Sequence, residues 1–245
     1  RSLIENLLAS VDSLSPENLT VVVGAKKEDV INHLSEIAPK AKTVVQEKRD
    51  GTGSAARLAL DNHKGDGTVL ILAGDTPLLT KQTLQEFLAA HKGDGNKASV
   101  LTAQLPDPTG YGRIIRGEQG EILKIVEEKD TTADEKDIDE VNTGVYLFDI
   151  SVLRKVIGDL KSNNAQKELY LTDAIALINQ SGEKSFAILS NDYTETLGIN
   201  DRTQLAECAA IMRDRINSHH MLNGVTILDP TTTWIDHDVK IEAAV

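Results

Sequence analysis

Cysteine is almost absent from this chain of 245 residues: Cys208 stands alone, which excludes a framework of intrachain disulfides. Long apolar runs are missing too, since no stretch approaches the roughly 18 to 20 residues that span a bilayer. The first residues lack the succession of basic region, apolar stretch and small-residue cleavage site that marks a secretory signal. Positive charge is scarce and scattered: 26 Lys and Arg against 38 Asp and Glu leave a net charge of -12. Nucleic acid and acidic lipid are held by clustered cations, so neither nucleic acid nor membrane is an expected partner. No nucleophile constellation is visible. Cys208 falls on the apolar-leaning side of a helical stretch, and the adjacent His219 and His220 lack the spacing of metal ligands. These absences lead to the expectation of a cytoplasmic protein whose chemistry depends on positioning rather than on a covalent intermediate.

What is present is alternation. Ser2 and Glu5 can form a capping box ahead of an apolar face made by Leu3, Ile4, Leu7, Leu8 and Val11. Strands are expected at 20–24, 43–46 and 68–73, with helices at 27–37 and 53–62 between them. Val21-Val22-Val23 and Val69-Leu70-Ile71-Leu72 are continuously apolar, as in strands covered by helices on both faces. The expected fold class is therefore α/β with a doubly wound, mostly parallel sheet. From residue 98 the pattern changes to strands at 98–104, 112–115, 121–127 and 141–148 joined by short turns, hairpin-like additions that carry the second half of a ligand pocket. The charge-rich connector 129–140 reads as a solvated loop or short helix. A strand at 185–189 precedes a long helix at 202–222. Ile235, Val239 and Ile241 then suggest a hexapeptide period, either the first turns of a parallel β-helix or an ordinary strand pair.

Several groups could carry chemistry. Gly74-Asp75 follows an apolar strand, where open α/β sheets bind ligands, and a carboxylate there suits Mg²⁺; a turn, or the cap of a helix over 77–91, explains it equally. Gly51-Thr52-Gly53 opens a helix and permits close backbone approach, to a ligand or in a bare turn. The tight loop Asp107-Pro-Thr-Gly-Tyr-Gly-Arg113 offers amides to sugar hydroxyls or is a structural turn. Glu127 and Asn142-Thr-Gly144, at strand ends, suit hydroxyl recognition. Ile199-Asn200-Asp201 stands where a helix N-cap is expected.

Taken in order, Gln46 with Gly51-Thr52-Gly53, Gly74-Asp75, 107–113, Ile125-Val-Glu127-Glu-Lys-Asp130, Asn142-Thr-Gly144, Asn163-Asn-Ala-Gln166, Tyr170-Leu-Thr-Asp173 and Gly198-Ile-Asn200 resemble the uridylyltransferase half of the bifunctional GlmU family. The likeness runs almost end to end, and 224–230 with the hexapeptides resembles that family's passage from a helical arm into a left-handed β-helix. It implies transfer of uridylyl from UTP to N-acetylglucosamine-1-phosphate, giving UDP-N-acetylglucosamine and pyrophosphate for cell-wall precursors. By position, Gln46, Gly51 and Thr52 would hold uracil, with Gly74 lining the nucleotide site. Gly112, Glu127 and Asn142 would contact the amino sugar with Thr172 nearby. Asp75 and Asn200 would bind Mg²⁺ and so serve catalysis. The implied domains are 1–199 for uridylyl transfer, 200–223 as a helical arm and 224–245 as the beginning of a left-handed β-helix. The resemblance also places a Gly-rich triphosphate loop before Arg1, on the order of 40 residues if a βαβ unit takes about 30, and an acetyltransferase activity in a β-helix beyond residue 245. Full-length members are expected to form trimers through that β-helix, and this chain by itself a monomer or weak associate. One departure is local: Lys167 and Leu169 stand where family members usually have Gly and an aromatic. Transfer to another sugar-1-phosphate, or a non-catalytic sugar-nucleotide binder, are the alternative readings.

Overall fold

The computed structural model describes residues 1–24, 27–93 and 95–243. Its first element, α1 (Leu3–Asp12), begins at the expected capping box: Ser2 Oγ accepts from the Glu5 amide, and the Glu5 carboxylate accepts from the Ser2 amide. There follow β1 (Thr20–Val23), α2 (Lys27–Ile37), β2 (Lys42–Val45), α3 (Thr52–Asp61) and β3 (Thr68–Leu72), each within two residues of its expected bounds. Next come α4 (Lys81–Gly93), β4 (Ala98–Gln104), β5 (Arg113–Arg116), β6 (Ile122–Val126), the short α5 (Ala133–Lys136) and β7 (Glu140–Asp149). The remainder is α6 (Ile150–Val156), α7 (Asp173–Gln180), β8 (Ser185–Leu189) and α8 (Arg202–Leu222). Sequence reading leaves α6 and α7 unassigned, although Asp149 is a plain cap for the first: its Oδ1 accepts from the Ser151 and Val152 amides.

β7 organises the larger sheet. The order is β6-β5-β7-β4-β8, with β3 also on β7. β4 and β8 pair in parallel, as do β1 and β2 in a separate two-stranded sheet. β7 runs antiparallel to β3, β4 and β5, so the ladders are mixed although β3, β4, β5 and β8 share one direction. Between Leu101 and Thr102 the β4–β7 register skips from Val145 to Asn142, leaving Thr143 and Gly144 as a bulge in β7. Gly144 takes φ 77°, and the Thr143 hydroxyl donates to the Leu101 carbonyl at 2.7 Å.

Both faces of this sheet are covered, which accounts for the continuously apolar strands. Val100, Tyr146 and Phe148 pack with Ala56 and Leu60 of α3, Leu153 of α6 and Ile175 and Ile178 of α7. Their neighbours Leu101, Val145 and Leu147 pack instead with Leu7 and Val11 of α1 and Leu84 and Phe87 of α4. Adjacent residues feed opposite cores because strand side chains alternate. The doubly wound α/β class is thus the observed one.

One expectation changes. The helix expected from residue 77 starts at Lys81, because Pro77, Leu78 and Leu79 are buried in irregular backbone and the first turn is fixed from far away. There Glu195 Oε2 accepts from the Thr80 amide at 3.1 Å and the Thr83 hydroxyl at 2.6 Å. Beyond α8, residues 225–243 contain turns and no strand. They lie back on α8: Asn217 Nδ2 donates to the carbonyls of Pro230 and Thr233, each at 2.8 Å, and the Arg213 guanidinium stacks over Trp234. Val245, the last hexapeptide position, lies outside the described residues. Among the described residues no helix is long and apolar enough to cross a membrane.

Candidate functional site

Three of the expected residues meet at one end of three adjacent strands. Arg113 of β5 is in register with Val126 of β6 and with Val141 of β7, both antiparallel. Gly112 is therefore flanked by Glu127 on one side and Asn142 on the other. The Gly112 carbonyl accepts from the Asn142 amide at 2.8 Å, and a Cβ built on Gly112 would stand 3.4 Å from Glu127 Oε2. Thr172, at the start of α7, closes the group: its hydroxyl donates to Glu127 Oε1 at 3.0 Å. Burial pushes the Glu127 carboxyl above the usual range; the Thr172 hydroxyl opposes this, and the negative charges of Asp173, Asp130 and Glu168 reinforce it. A half-buried carboxylate with one oxygen held and the other beside a backbone turn is a directed acceptor for a ligand hydroxyl.

A second group forms around the 50–53 loop. The Gln46 carboxamide donates to Asp50 Oδ1 at 3.1 Å and to the Gly51 carbonyl at 3.0 Å. Residues 169–171 run along this loop: Leu169 N donates to Asp50 O, Gly53 N to Leu169 O, and Leu171 N to Thr52 Oγ1. Gly51 is required by that contact, since its φ is 107° and a Cβ would fall 2.3 Å from the Leu169 carbonyl oxygen. The next residue along is Thr172, so one short segment ties the 46–53 group to Glu127.

The third group is Asp75 with Asn200. The Asp75 carbonyl accepts from the Ile199 amide at 3.0 Å, and a Cβ on Gly198 would lie 3.5 Å from Asp75 Oδ2 and 4.0 Å from Asn200 Nδ2. Neither side chain serves as a helix cap. Asp201 caps α8 by accepting from the Gln204 amide at 2.8 Å, which leaves the Asn200 carboxamide clear of that role. Burial raises the Asp75 carboxyl above its usual range, and no Lys or Arg forms an ion pair with it among the described residues. A half-buried carboxylate and a carboxamide are oxygen donors of the kind a hard divalent cation takes one or two of, waters and phosphates completing its shell. Gly74 is exposed at the end of β3 with open space around its Cα. Among the described residues Gln46 shares no hydrogen bond with Asp75 or Asn200. The 46–53 group is linked to Glu127 and not to this pair.

Comparison with known proteins follows this geometry. A family model described as nucleotidyl transferase matches residues 1–236. The chain belongs to the nucleotidyl transferase family. Among curated relatives, the bifunctional protein GlmU of Streptomyces coelicolor is 46% identical over 245 residues, 99% of this chain and 51% of that protein. The GlmU of Thermobifida fusca is 44% identical over 98% of this chain and 51% of its own length, and that of Shouchella clausii 44% identical over 98% and 53%. The chain thus spans about half the length of the relatives it matches. A solved structure from Bacillus anthracis, named as a glucose-1-phosphate thymidylyltransferase, superposes with a TM-score of 0.65, covering 94% of this chain and 85% of that one at 20% identity. At that identity the likeness speaks for the nucleotidyl transferase fold alone.

Sequence reading of this nucleotidyl transferase chain missed three residues. Tyr111 lies in the tight loop 107–113, and its hydroxyl accepts from the Gly198 amide at 3.3 Å, beside the Asp75 and Asn200 pair. Arg113 is 2% exposed although it reads as an ordinary strand residue. Glu195 anchors α4 from a connector. A charged residue inside an apolar strand, as in Arg113-Ile-Ile, was the one available signal. An open cavity of about 560 Å³ is lined by Asp130, Ser162, Asn163, Asn164, Ala165 and Lys167; Asp130 and 163–165 lie in the motifs that carry the resemblance, but none of the six has an expected binding role. It adjoins the Glu127 group through Asp130, whose carboxylate accepts from the Ala165 amide at 2.9 Å.

Proposed function

We propose that this chain carries the sugar and base half-sites of a uridylyltransferase, which transfers uridylyl from UTP to N-acetylglucosamine-1-phosphate and releases pyrophosphate. The observation that supports it most directly is the convergence of Gly112, Glu127, Asn142 and Thr172 at one end of β5, β6 and β7. Glu127 would accept a sugar hydroxyl through Oε2 while Thr172 holds Oε1. The Gly112 and Asn142 positions would fix the amino-sugar face. Gln46, Gly51 and Thr52 would meet uracil. Because Thr52 Oγ1 already accepts from Leu171 N, its own proton is left to donate to a uracil carbonyl.

Asp75 and Asn200 would hold Mg²⁺, which when bound would neutralise charge on the phosphate being transferred. The donor oxygen of the sugar phosphate would bond to the α-phosphorus of UTP as the bond from that phosphorus to the bridging oxygen of pyrophosphate breaks. The second ionisation of a phosphate monoester has a pKa of about 6, so the nucleophile arrives deprotonated and the chain need supply no general base. Its task is alignment and exclusion of water. Residues 1–199 would form the transferase unit, 200–223 the arm and 224–245 the start of a β-helix, in a cytoplasmic protein whose whole form is a trimer.

The test is Mg²⁺-dependent release of pyrophosphate from UTP and N-acetylglucosamine-1-phosphate by the whole protein that carries this chain, with dTTP and GTP as competitors. Loss of turnover in Asp75→Asn and Asn200→Ala is expected. Absence of turnover in the unsubstituted protein, or equal use of GTP, would refute the assignment.

A further inference from the structure

Arg113 is among the largest fully buried side chains of the molecule, and its ion-pair partner, Glu128, is only partly buried. The guanidinium spans two walls of the Glu127 group. On one side Nη1 donates to the Tyr111 carbonyl, in the turn that presents Gly112. On the other, Nη2 lies 2.9 Å from Oε2 of Glu128, the residue that follows Glu127, in a charge contact without the geometry of a hydrogen bond. The third nitrogen, Nε, is buried with no hydrogen-bond partner. Tyr111 carries the connection further, because its hydroxyl accepts from Gly198 beside Asp75 and Asn200.

An apolar residue would satisfy this strand position with less cost. Burying a guanidinium sacrifices hydration, and an incompletely hydrogen-bonded one recovers less of it; replacing buried ion pairs by apolar residues of like volume is often neutral or stabilising. What the arginine supplies is a fixed distance between two backbone segments. That distance matters here, because the walls are close enough that a Cβ on Gly112 would stand 3.2 Å from Ile125 Cγ2 and 3.4 Å from Glu127 Oε2. A shift of about 1 Å between the two walls would misplace both sugar contacts at once.

We propose that Arg113 is a positioning residue of the sugar half-site, its buried guanidinium holding the Tyr111–Gly112 turn and the Glu127–Glu128 step at the separation a sugar phosphate needs. The inference rests on the sugar-site reading given above. It is tested by calorimetric titration of N-acetylglucosamine-1-phosphate into the 245-residue chain and its Arg113→Met, Arg113→Lys and Glu128→Gln variants, with a melting curve for each. Arg113→Met is expected to bind at least tenfold more weakly while melting no lower than the parent. Arg113→Lys should recover part of the affinity, since it keeps a cation without the fork, and Glu128→Gln should weaken binding severalfold. Unchanged affinity in a folded Arg113→Met chain overturns the proposal. So does a loss of affinity matched by a fall in melting temperature in both Arg113→Met and Glu128→Gln, which would make the pair merely structural. If the unsubstituted chain binds no N-acetylglucosamine-1-phosphate, the sugar-site reading itself fails and the inference with it. Binding by the parent but no effect of the variants removes only the role of Arg113.

Discussion

The Thr172 hydroxyl donates to Glu127 Oε1 at 3.0 Å, joining the start of α7 to the end of β6 across 45 residues of sequence. This bond aims a half-buried carboxylate that would otherwise be free to rotate. Thr172→Val removes the donor and keeps the shape. Hydrogen bonds to charged groups contribute about 1.5–3 kcal/mol, so affinity for N-acetylglucosamine-1-phosphate should fall about tenfold or more. Thr172→Ser should keep most of it, as titration of both variants would show.

Glu127 also sets a pH dependence. Its folded carboxyl is raised, first by burial, so the protonated form appears at a higher pH than for an ordinary Glu. If the carboxylate is what accepts the sugar hydroxyl, affinity should decline as pH falls through that raised value. The sugar phosphate titrates as well, and Glu127→Gln removes only the protein's part. The difference between the two pH profiles is the measurement; identical profiles would refute the role. For stability the sign is reversed, since this group favours the folded state more once it is protonated.

Asp149 behaves in the opposite sense. Burial disfavours its charge, but the Ser151 hydroxyl, Lys97 and the Val152 amide outweigh burial and hold the carboxyl down to about 2 from 3.8. Its contribution is present above pH 3.8 and disappears as pH falls through about 2. Asp149→Ala loses the cap of α6 and should cost about 1 kcal/mol near neutral pH. Denaturant midpoints of parent and variant should converge in acid.

Lys167 adopts φ 56°, in the left-handed region, and its side chain is exposed. That conformation costs a non-glycine residue about 1–2 kcal/mol, against the roughly 0.4–1 kcal/mol that glycine costs through the unfolded chain. Lys167→Gly should therefore stabilise by about 0.5–1 kcal/mol, the difference of those two terms. A fall in melting temperature would contradict this.

Gly51→Ala should do the reverse. Its φ of 107° and the 2.3 Å approach of a Cβ to the Leu169 carbonyl oxygen leave no room. A loss of about 2 kcal/mol is expected from strain of this kind, visible in the denaturant midpoint, with weakened sugar binding because the 169–172 segment also holds Glu127.

Much of this arrangement was legible beforehand because it follows local rules. The capping box at Ser2 and Glu5, the apolar triplet at 21–23 and the helical spacing of 202–222 each depend on neighbours in sequence, and each stands where expected. The left-handed Lys167 was also foreshadowed, since a glycine was expected there. What could not be read depends on partners far along the chain. The start of α4 is set by Glu195, 115 residues from Thr80. The reversed direction of β7 relative to β3 and β4 leaves no mark on its apolar pattern, because a strand covered on both faces looks alike in either direction. The roles open to Asn200 and Asp201 were interchangeable in sequence, and only the geometry gives the cap to Asp201.

β7 has a consequence for biosynthesis. Within the described residues β3 and β4 have no ladder between them, and each is joined to the other through β7, which ends at Asp149. A growing chain therefore completes two apolar strands, 68–72 and 98–104, 36 residues before the strand that joins them begins, the interval from Gln104 to Glu140. During synthesis at about 5–20 residues per second that exposure lasts a few seconds. The vectorial order of translation thus leaves the half-made sheet without its common partner strand until β7 has emerged, and leaves the outer edge of β4 open until β8 follows.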